Sequence, residues 1–291
     1  MRAGYFVRGE APPQELDPRF DVVVLPWRTF GEPEWQATAA TYQEAGMKVY
    51  VHIPTVYLNP DLSTPQHDVI REILDDGNGW LLGYAPEGMD APRVGEGVWQ
   101  LIDQSMPQLR RKLIKAHIEM IRPDPHGFKA DGLMLDFLHD TVTWRHEFVG
   151  MSREDKEAVD ATWRHGLYQF ASGLQFHLGR EGLDMTVYGN GWHRATVLDG
   201  TVYENFPRTK KEDGRRDMDV ALNGLYGAVT WRLFREPPMI LPADGRLIAY
   251  DLPKFRVVEA VAFARAFCPG AIVFDNSGHI FDVMEKLEAW V

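Results

Sequence analysis

Asp131-Gly132-Leu133-Met134-Leu135-Asp136 decides the fold, because here a short apolar run stops abruptly at a carboxylate. Runs without alternating polar residues are typical of strands buried on both faces of a parallel sheet. Similar runs recur along the 291 residues. The predicted strands are Gly4–Val7, Asp21–Leu25, Lys48–Ile53, Gly132–Phe137, Asp184–Gly189, Gly200–Glu204, Leu247–Asp251 and Ala271–Asp275.

Segments with helical spacing separate most of these runs. One begins at Ser152, which together with Asp155 resembles a capping box, and another follows Pro107. Further helices are predicted after Pro253 and from about Ile280 onward. The apolar stripes of the first two helices are Val159, Trp163, Leu167, Phe170 and Leu174, and Leu109, Leu113, His117 and Ile121.

The alternation of strands and helices predicts an α/β protein with a (β/α)8 TIM barrel, formed by a single domain over residues 1–291. An open doubly wound sheet is the alternative, but Gly4–Gly9 lacks the glycine-rich phosphate turn usual after its first strand. The stretch from about Thr55 to Gly97 is long, and long connections in a barrel are usually functional. We therefore expect an elaborated loop over the barrel mouth after the third strand.

The composition excludes several classes of partner. The formal net charge is −11 and no basic stripe dominates, so neither nucleic acid nor an anionic membrane is expected as a partner. The dense basic run from Arg208 to Arg216 is interpreted as a solvated loop, or as a patch that meets an anionic substrate. Cys268 is alone, which excludes an intramolecular disulfide. Without a signal region or an 18-residue apolar span, the chain is expected to be cytoplasmic or released without a visible signal.

Two carboxylates at strand ends are the strongest candidates for chemistry, because a barrel builds its active site at the C-terminal ends of its strands. Asp136 ends the fourth predicted strand and Glu204 ends the sixth. A carboxylate beside a packed core is costly unless it is paired or faces a solvated cleft. Side-chain alternation lets both acids point into the mouth. The alternative is a buried salt bridge with Arg145 or Arg164.

Other strand-end residues suit the hydroxyls and rings of sugars, although each alone is also compatible with ordinary packing. The predicted substrate-binding residues are His52, Asn190, Trp27, Trp80, Trp192, Tyr250, Asp251 and Asp275. A metal site built from His52, His139, Asp140 or Asp275 is a rival hypothesis. No spacing matches a known metal motif, so neither a metal nor another cofactor is expected.

Three motifs follow one another in a specific order. Trp80-Leu81-Leu82 precedes Leu101-Ile102-Asp103, with Pro107 and Arg110 entering a helix. The segment from Asp131 to Asp136 comes next, and Asn190-Gly191 then precedes Asp199-Gly200-Thr201-Val202-Tyr203-Glu204. In this order the motifs resemble the glycoside hydrolase 15-like family and, more distantly, the endo-α-1,4-polygalactosaminidases.

The resemblance implies a glycosidase that degrades a poly- or oligosaccharide, with Asp136 as nucleophile and Glu204 as general acid/base. Glu204 would have to hold a proton near neutral pH. We expect a retaining reaction, for which the carboxyl groups would lie about 5–5.5 Å apart, against about 6.5–9.5 Å for inversion. The two roles could be exchanged between the acids, and the oligomeric state stays open. The alternatives are a catalytically silent carbohydrate-binding barrel and a metal-dependent hydrolase.

Overall fold

A computed structural model describes residues 2–7, 11–55, 57–58, 100–101, 103–122, 128–136, 138, 141–143, 148–190, 197–202, 239–242, 261, 265, 272–274 and 279–288. The chain divides into two compact units. The strand unit comprises Met1–Ile53, Ala130–Leu135 and Met185–Val291, and the helix unit comprises Pro54–Lys129 and Asp136–Asp184.

The described strands form one large sheet and one small one. They are β1 (Arg2–Phe6), β2 (Val22–Pro26), β3 (Lys48–Pro54), β4 (Tyr57–Leu58), β5 (Gln100–Leu101), β6 (Gly132–Asp136), β7 (Thr186–Asn190), β8 (Gly200–Val202), β9 (Met239–Pro242) and β10 (Ile272–Phe274). The large sheet has the closed order β1-β10-β9-β8-β7-β6-β3-β2, and every pair with a described register is parallel. This parallel sheet confirms the predicted α/β class and is consistent with a (β/α)8 barrel.

The predicted position of the seventh strand is wrong. Between β8 and β10 the sheet contains Met239–Pro242, which pairs with both neighbours, so the place predicted for Leu247–Asp251 is already taken. Residues 247–251 themselves lie outside the described part of the chain. The prolines Pro237 and Pro238 directly before Met239 argued against a strand there, since proline is disfavoured inside sheets.

The α-helices whose bounds are described are α1 (Pro33–Glu44), α2 (Pro107–Ile121), α3 (Arg153–Arg180) and α4 (His279–Glu288). Ser152 is confirmed as the N-cap of α3, because its hydroxyl accepts the Asp155 N–H at 3.1 Å. In the helix unit α2 and α3 pack together, with the His117 ring edge-on to Phe170 at 5.5 Å. Over the described ranges, helices fall short of the length and apolarity that crossing a bilayer requires.

Side chains from six strands of the large sheet form one buried cluster in the strand unit. Its members are Phe6, Val22, Val24, Tyr50, Met134, Tyr188, Ile272 and Phe274. Where a strand contributes two residues to the cluster, they lie two positions apart, as strand alternation requires. Phe6 and Tyr50 pair in register with Val24, and Met134 pairs with Tyr188. This cluster is the hydrophobic interior of the sheet, and residues further along the same strand faces lie toward the C-terminal strand ends.

Three aspartates just before the beginnings of strands accept hydrogen bonds from the neighbouring strands. Asp21, Asp131 and Asp199 directly precede β2, β6 and β8. Their carboxylates accept the N–H groups of Ala3 at 2.7 Å, Val49 at 2.9 Å and Val187 at 3.0 Å on the adjacent strands. Buried backbone donors need such acceptors, so these carboxylates stabilise the N-terminal edge of the sheet.

Gly132 allows close packing where β6 begins. A β-carbon there would lie 2.6 Å from the Thr186 carbonyl oxygen and 2.9 Å from the Tyr50 ring. Any larger residue would push β6 away from the backbone of β7, since Gly132 and Thr186 are register partners. The Asp-Gly pair at positions 131 and 132 therefore has a structural purpose.

Candidate active site

Polar side chains lie two residues beyond the buried cluster on three adjacent strands. On β3, β6 and β7 the residues after Tyr50, Met134 and Tyr188 on the same strand face are His52, Asp136 and Asn190. Each of these residues lies toward the C-terminal end of its own strand. This is the position at which parallel barrels carry their chemistry.

In the strand unit, His52 and Asn190 occupy ordered surroundings. The His52 ring is partly exposed and meets the edge of the Phe6 ring at a centroid distance of 5.4 Å and an angle of 77°. Asn190 ends β7 and is 2% exposed, and it pairs in register with Val202 on β8. Both predicted residues therefore lie on inward-facing strand positions.

Trp27 follows β2 directly and begins a 3₁₀ turn, Trp27–Phe30. Its side chain is partly exposed, which leaves aromatic surface for a ring to stack on. The turn is held by Thr29, which is fully buried and whose hydroxyl donates to the Pro26 carbonyl oxygen at 2.7 Å.

Tyr50 and Tyr188 close the interior beneath these residues. Their rings lie 5.2 Å apart at an angle of 31°. Burial raises the pKa of Tyr188 well above its usual value, and the neighbouring Tyr50 adds to the effect. Tyr188 therefore stays neutral at physiological pH, and the interior layer contributes packing rather than charge.

In the helix unit, the end of β6 is held by a buried chain of hydrogen bonds. The Thr55 hydroxyl donates to the main-chain carbonyl oxygen of Asp136 at 2.5 Å, and Thr55 is 1% exposed. The Gln104 side-chain amide donates to the Thr55 carbonyl oxygen at 3.0 Å, and Gln104 is fully buried. The Arg110 guanidinium donates in turn to the carbonyl oxygens of Gln104 at 2.8 Å and Ser105 at 2.7 Å. We call Arg110, Gln104 and Thr55 the Asp136 support.

Arg110 is partly withdrawn from water, and this burial lowers the pKa of its guanidinium, an effect that the nearby Asp103 opposes. An arginine keeps its charge under all ordinary conditions, so its two hydrogen bonds stay charge-assisted. By contrast, Arg164, one predicted cation for a buried ion pair, lies on an exposed position of α3.

Glu204, Trp80, Trp192, Tyr250, Asp251, Asp275 and Arg145 lie outside the described residues, as do His139 and Asp140 of the metal hypothesis. The predicted loop over the mouth, from about Thr55 to Gly97, is described only at Thr55 and at β4, which pairs antiparallel with β5.

Thr55 and Gln104 are not among the residues predicted from the sequence. Both bond to residues far away in the chain, 81 positions for Thr55 with Asp136 and 49 for Gln104 with Thr55. The only sequence signal was indirect, because Leu101-Ile102-Asp103 and Arg110 of the first motif flank Gln104.

Solved structures of glycoside hydrolases share this fold at low sequence identity. The glycoside hydrolase domain of PelA from Pseudomonas aeruginosa is 18% identical with a TM-score of 0.55, over 94% of this chain and 94% of that domain. Aspergillus fumigatus Ega3, in complex with galactosamine, is 11% identical with a TM-score of 0.53, over 94% and 91%. The GH36 α-galactosidase AgaA from Geobacillus stearothermophilus, in complex with raffinose, is 12% identical with a TM-score of 0.53, over 100% of this chain and 41% of that one.

No model of a known protein family matches the sequence, and no curated protein matches it. The resemblance to glycoside hydrolases inferred from the motifs is confirmed for the fold by these structures.

Proposed function

We propose that this protein is a retaining glycoside hydrolase whose catalytic domain is a single complete (β/α)8 barrel spanning residues 1–291. Asp136 is the nucleophile and Glu204 the general acid/base. The observation that carries the proposal is the position of Asp136 at the C-terminal end of a strand of the parallel sheet, where barrels carry their active sites. The shared fold with glycoside hydrolase domains supports the same reaction class.

In the first step, an Asp136 carboxylate oxygen attacks the anomeric carbon while the bond to the leaving oxygen breaks. Glu204 gives its proton to that oxygen, so the departing sugar leaves as a neutral alcohol. In the second step, Glu204 takes a proton from water, and the water oxygen displaces Asp136 from the anomeric carbon. The product keeps its anomeric configuration, and both carboxyl groups return to their starting states.

The sequence positions of Glu204 and Asp136 suit this division of roles. Asn190 pairs with Val202 on β8, and Glu204 follows two residues later along the chain. Thus β6 and β8 lie on either side of β7, and each of the two strands leads to one of the proposed acids. Acids contributed by strands two apart in a barrel can flank one glycosidic bond.

The first substrate to test is a galactosamine polymer. Ega3 was solved with galactosamine, and the motifs resemble endo-α-1,4-polygalactosaminidases. The amine of an unacetylated galactosamine is cationic at neutral pH, and a chain with a net charge of −11 attracts a polycation. His52, Asn190 and Trp27 would then bind the hydroxyls and the ring of one sugar unit.

A glycan panel read by mass spectrometry tests the proposal. Wild-type protein is incubated with partly de-N-acetylated α-1,4-galactosaminan and with neutral and acidic polysaccharides, and released oligosaccharides are detected. We expect products from at least one glycan, and none at the same exposure from Asp136→Asn or Glu204→Gln, which should fold normally. Product formation by Asp136→Asn at the wild-type rate would overturn the assigned chemistry. Glycan binding without products in the wild type would instead favour the carbohydrate-binding alternative.

A further inference from the structure

We propose that Thr55 is a positioning residue that orients the Asp136 carboxylate through the main chain, and that Gln104 and Arg110 hold Thr55 in place. This inference rests on the proposed function of Asp136. It goes further by assigning a role to three residues of the helix unit that need not touch the substrate.

Thr55 contacts Asp136 directly through a hydrogen bond. Asp136 is the last residue of β6, and its carbonyl oxygen lies at the end of the strand. The Thr55 hydroxyl supplies a restraint at this point, because it donates to the Asp136 carbonyl oxygen at 2.5 Å. With the strand fixing one side of the Asp136 α-carbon and Thr55 the other, the direction of its β-carbon is set.

Thr55 is itself held in place by Gln104 and Arg110. Thr55 directly follows β3, and the Gln104 amide donates to its carbonyl oxygen at 3.0 Å. The Gln104 main chain is clamped by Arg110, whose guanidinium donates to two successive carbonyl oxygens at 2.8 and 2.7 Å. Thr55 and Gln104 are 1% and 0% exposed, so water does not compete for these bonds.

Helix α3 also contacts Gln104, through Gly166. Gly166 on α3 lies so close that a β-carbon would be 2.5 Å from the Gln104 carbonyl oxygen and 2.7 Å from the Ser105 nitrogen. These are backbone atoms, which cannot move aside as a flexible side chain would. A residue larger than glycine would therefore displace the Asp136 support as a whole.

A positioning role is expected to change turnover more than stability. One buried hydrogen bond contributes about 1 kcal/mol to folding. A displacement of about 1 Å at a reacting group can reduce the rate about 100-fold. Loss of the Thr55 hydroxyl should thus lower kcat while the substrate still binds.

The chain offers a matched control for Thr55. Thr29 is also fully buried, and its hydroxyl donates to the carbonyl oxygen of Pro26, the last residue of β2, at 2.7 Å. Thr29→Val removes the same type of bond from the end of a strand that carries no proposed catalytic acid.

The test compares Thr55→Val, Thr55→Ser, Thr29→Val and Asp136→Asn in the full chain, with kcat and KM measured from the reducing ends released from α-1,4-galactosaminan, or from whichever panel glycan the wild type cleaves. We expect Thr55→Val to lower kcat at least 10-fold with KM within about two-fold of the wild type. Thr55→Ser, which keeps the hydroxyl, should recover most of the loss. Thr29→Val should keep a wild-type kcat with a similar fall in melting temperature. Since Thr29 holds the turn that carries Trp27, any effect of this variant on substrate binding should appear in KM alone.

A second pair of variants tests the support from the α3 side. Gly166→Ala should lower kcat about three- to ten-fold. Gly173→Ala is its control on the same helix, where a β-carbon would meet the Ile114 side chain at 2.6 Å instead. It should affect only stability.

The outcomes separate this inference from the proposed function. A wild-type kcat in Thr55→Val beside an inactive Asp136→Asn would overturn the positioning role and leave the catalytic assignment intact. Equal losses of kcat in Thr55→Val and Thr29→Val would also overturn it, because they would indicate a general loss of rigidity. An active Asp136→Asn would overturn the proposed function and this inference with it.

Discussion

Asp131 directly precedes strand β6 and Asp136 ends it, and the two aspartates contact different parts of the chain. The Asp131 carboxylate accepts the Val49 N–H and the Gln43 side-chain amide, both at 2.9 Å. Asp136 is held through its main-chain carbonyl oxygen, by Thr55. Residue type alone therefore does not identify a catalytic acid, since the same carboxylate at the other end of the strand is an acceptor for backbone donors.

The Asp-Gly start of the second segment has the same structural contact as that of the first. Asp199 before β8 accepts the Val187 N–H at 3.0 Å, as Asp131 accepts that of Val49. The Asp-Gly portion of each motif thus stabilises the sheet, while the acid at the end of the motif is the candidate for chemistry. We therefore expect substitutions of the C-terminal acids to change activity and substitutions of the N-terminal aspartates to change stability.

The largest effects are expected at the C-terminal strand ends, and the leaving group can distinguish the two acids. On a natural glycan, both Asp136→Asn and Glu204→Gln should reduce turnover by about 10³-fold, or about 4 kcal/mol. On a dinitrophenyl glycoside of the same sugar, which needs no protonation to leave, release of dinitrophenol by Glu204→Gln should be much less impaired. Asp136→Asn should stay inactive on both substrates.

Stopped-flow absorbance of dinitrophenol provides this measurement. If Asp136→Asn were rescued by the activated substrate and Glu204→Gln were not, the two roles would have to be exchanged.

At the N-terminal end of β6, Gly132→Ala should give the largest loss in the free energy of unfolding. The new β-carbon would overlap the Thr186 carbonyl oxygen and the Tyr50 ring, and overpacking of this kind costs about 1–3 kcal/mol. Urea unfolding followed by tryptophan fluorescence measures the change. Gly179→Ala on α3 is the control, because no described atom lies within 4 Å of its added β-carbon. A loss as large in the control would show that the overlap is not the cause.

Asp131→Ala should reduce the free energy of unfolding by about 1–3 kcal/mol, because the Val49 N–H and the Gln43 amide lose their acceptor. Gln43→Ala should cost less, and the double variant should cost less than the sum of the two. Chemical denaturation of the four proteins gives the coupling free energy. Strict additivity would contradict a direct Gln43–Asp131 interaction.

How well each part of the structure can be predicted from the sequence depends on how far apart in the chain its interacting residues lie. Apolar runs predicted β2, β3 and β6 closely, because parallel strands buried on both faces have a local signature. The seventh strand was misplaced because Met239–Pro242 is short and follows two prolines. Asp136 was predicted as a strand-end acid from local pattern alone.

The Asp136 support could not be predicted in the same way. Thr55 and Gln104 are ordinary polar residues in sequence, and their importance arises only from partners 81 and 49 positions away. Gly166 likewise has no local reason to be glycine, since it lies inside α3, where glycine is unfavourable. Its reason is the close contact with Gln104.

The smallest effect at neutral pH is expected from Tyr42, at the end of α1 next to Gln43. Burial raises the pKa of Tyr42 to about 12, above the usual 10.0 of a tyrosine. The folded state holds this proton more tightly than the unfolded state, so stability is unaffected below pH 10 and falls as the pH rises from 10 to 12. The loss should reach about 1 kcal/mol at pH 11.

Denaturation at pH 8 and pH 11 measures this loss. Tyr42→Phe should lose less stability between the two pH values than the wild type does. An identical loss in the variant would exclude Tyr42 as the source.

The most direct test of the central claim is to measure turnover of Asp136→Asn and Asp131→Asn on the same glycan, together with their melting temperatures. The account predicts that Asp136→Asn loses about 10³-fold in kcat at a nearly unchanged melting temperature, whereas Asp131→Asn melts earlier and keeps the wild-type kcat. Wild-type turnover in Asp136→Asn, or an equal loss of turnover in Asp131→Asn, would contradict it.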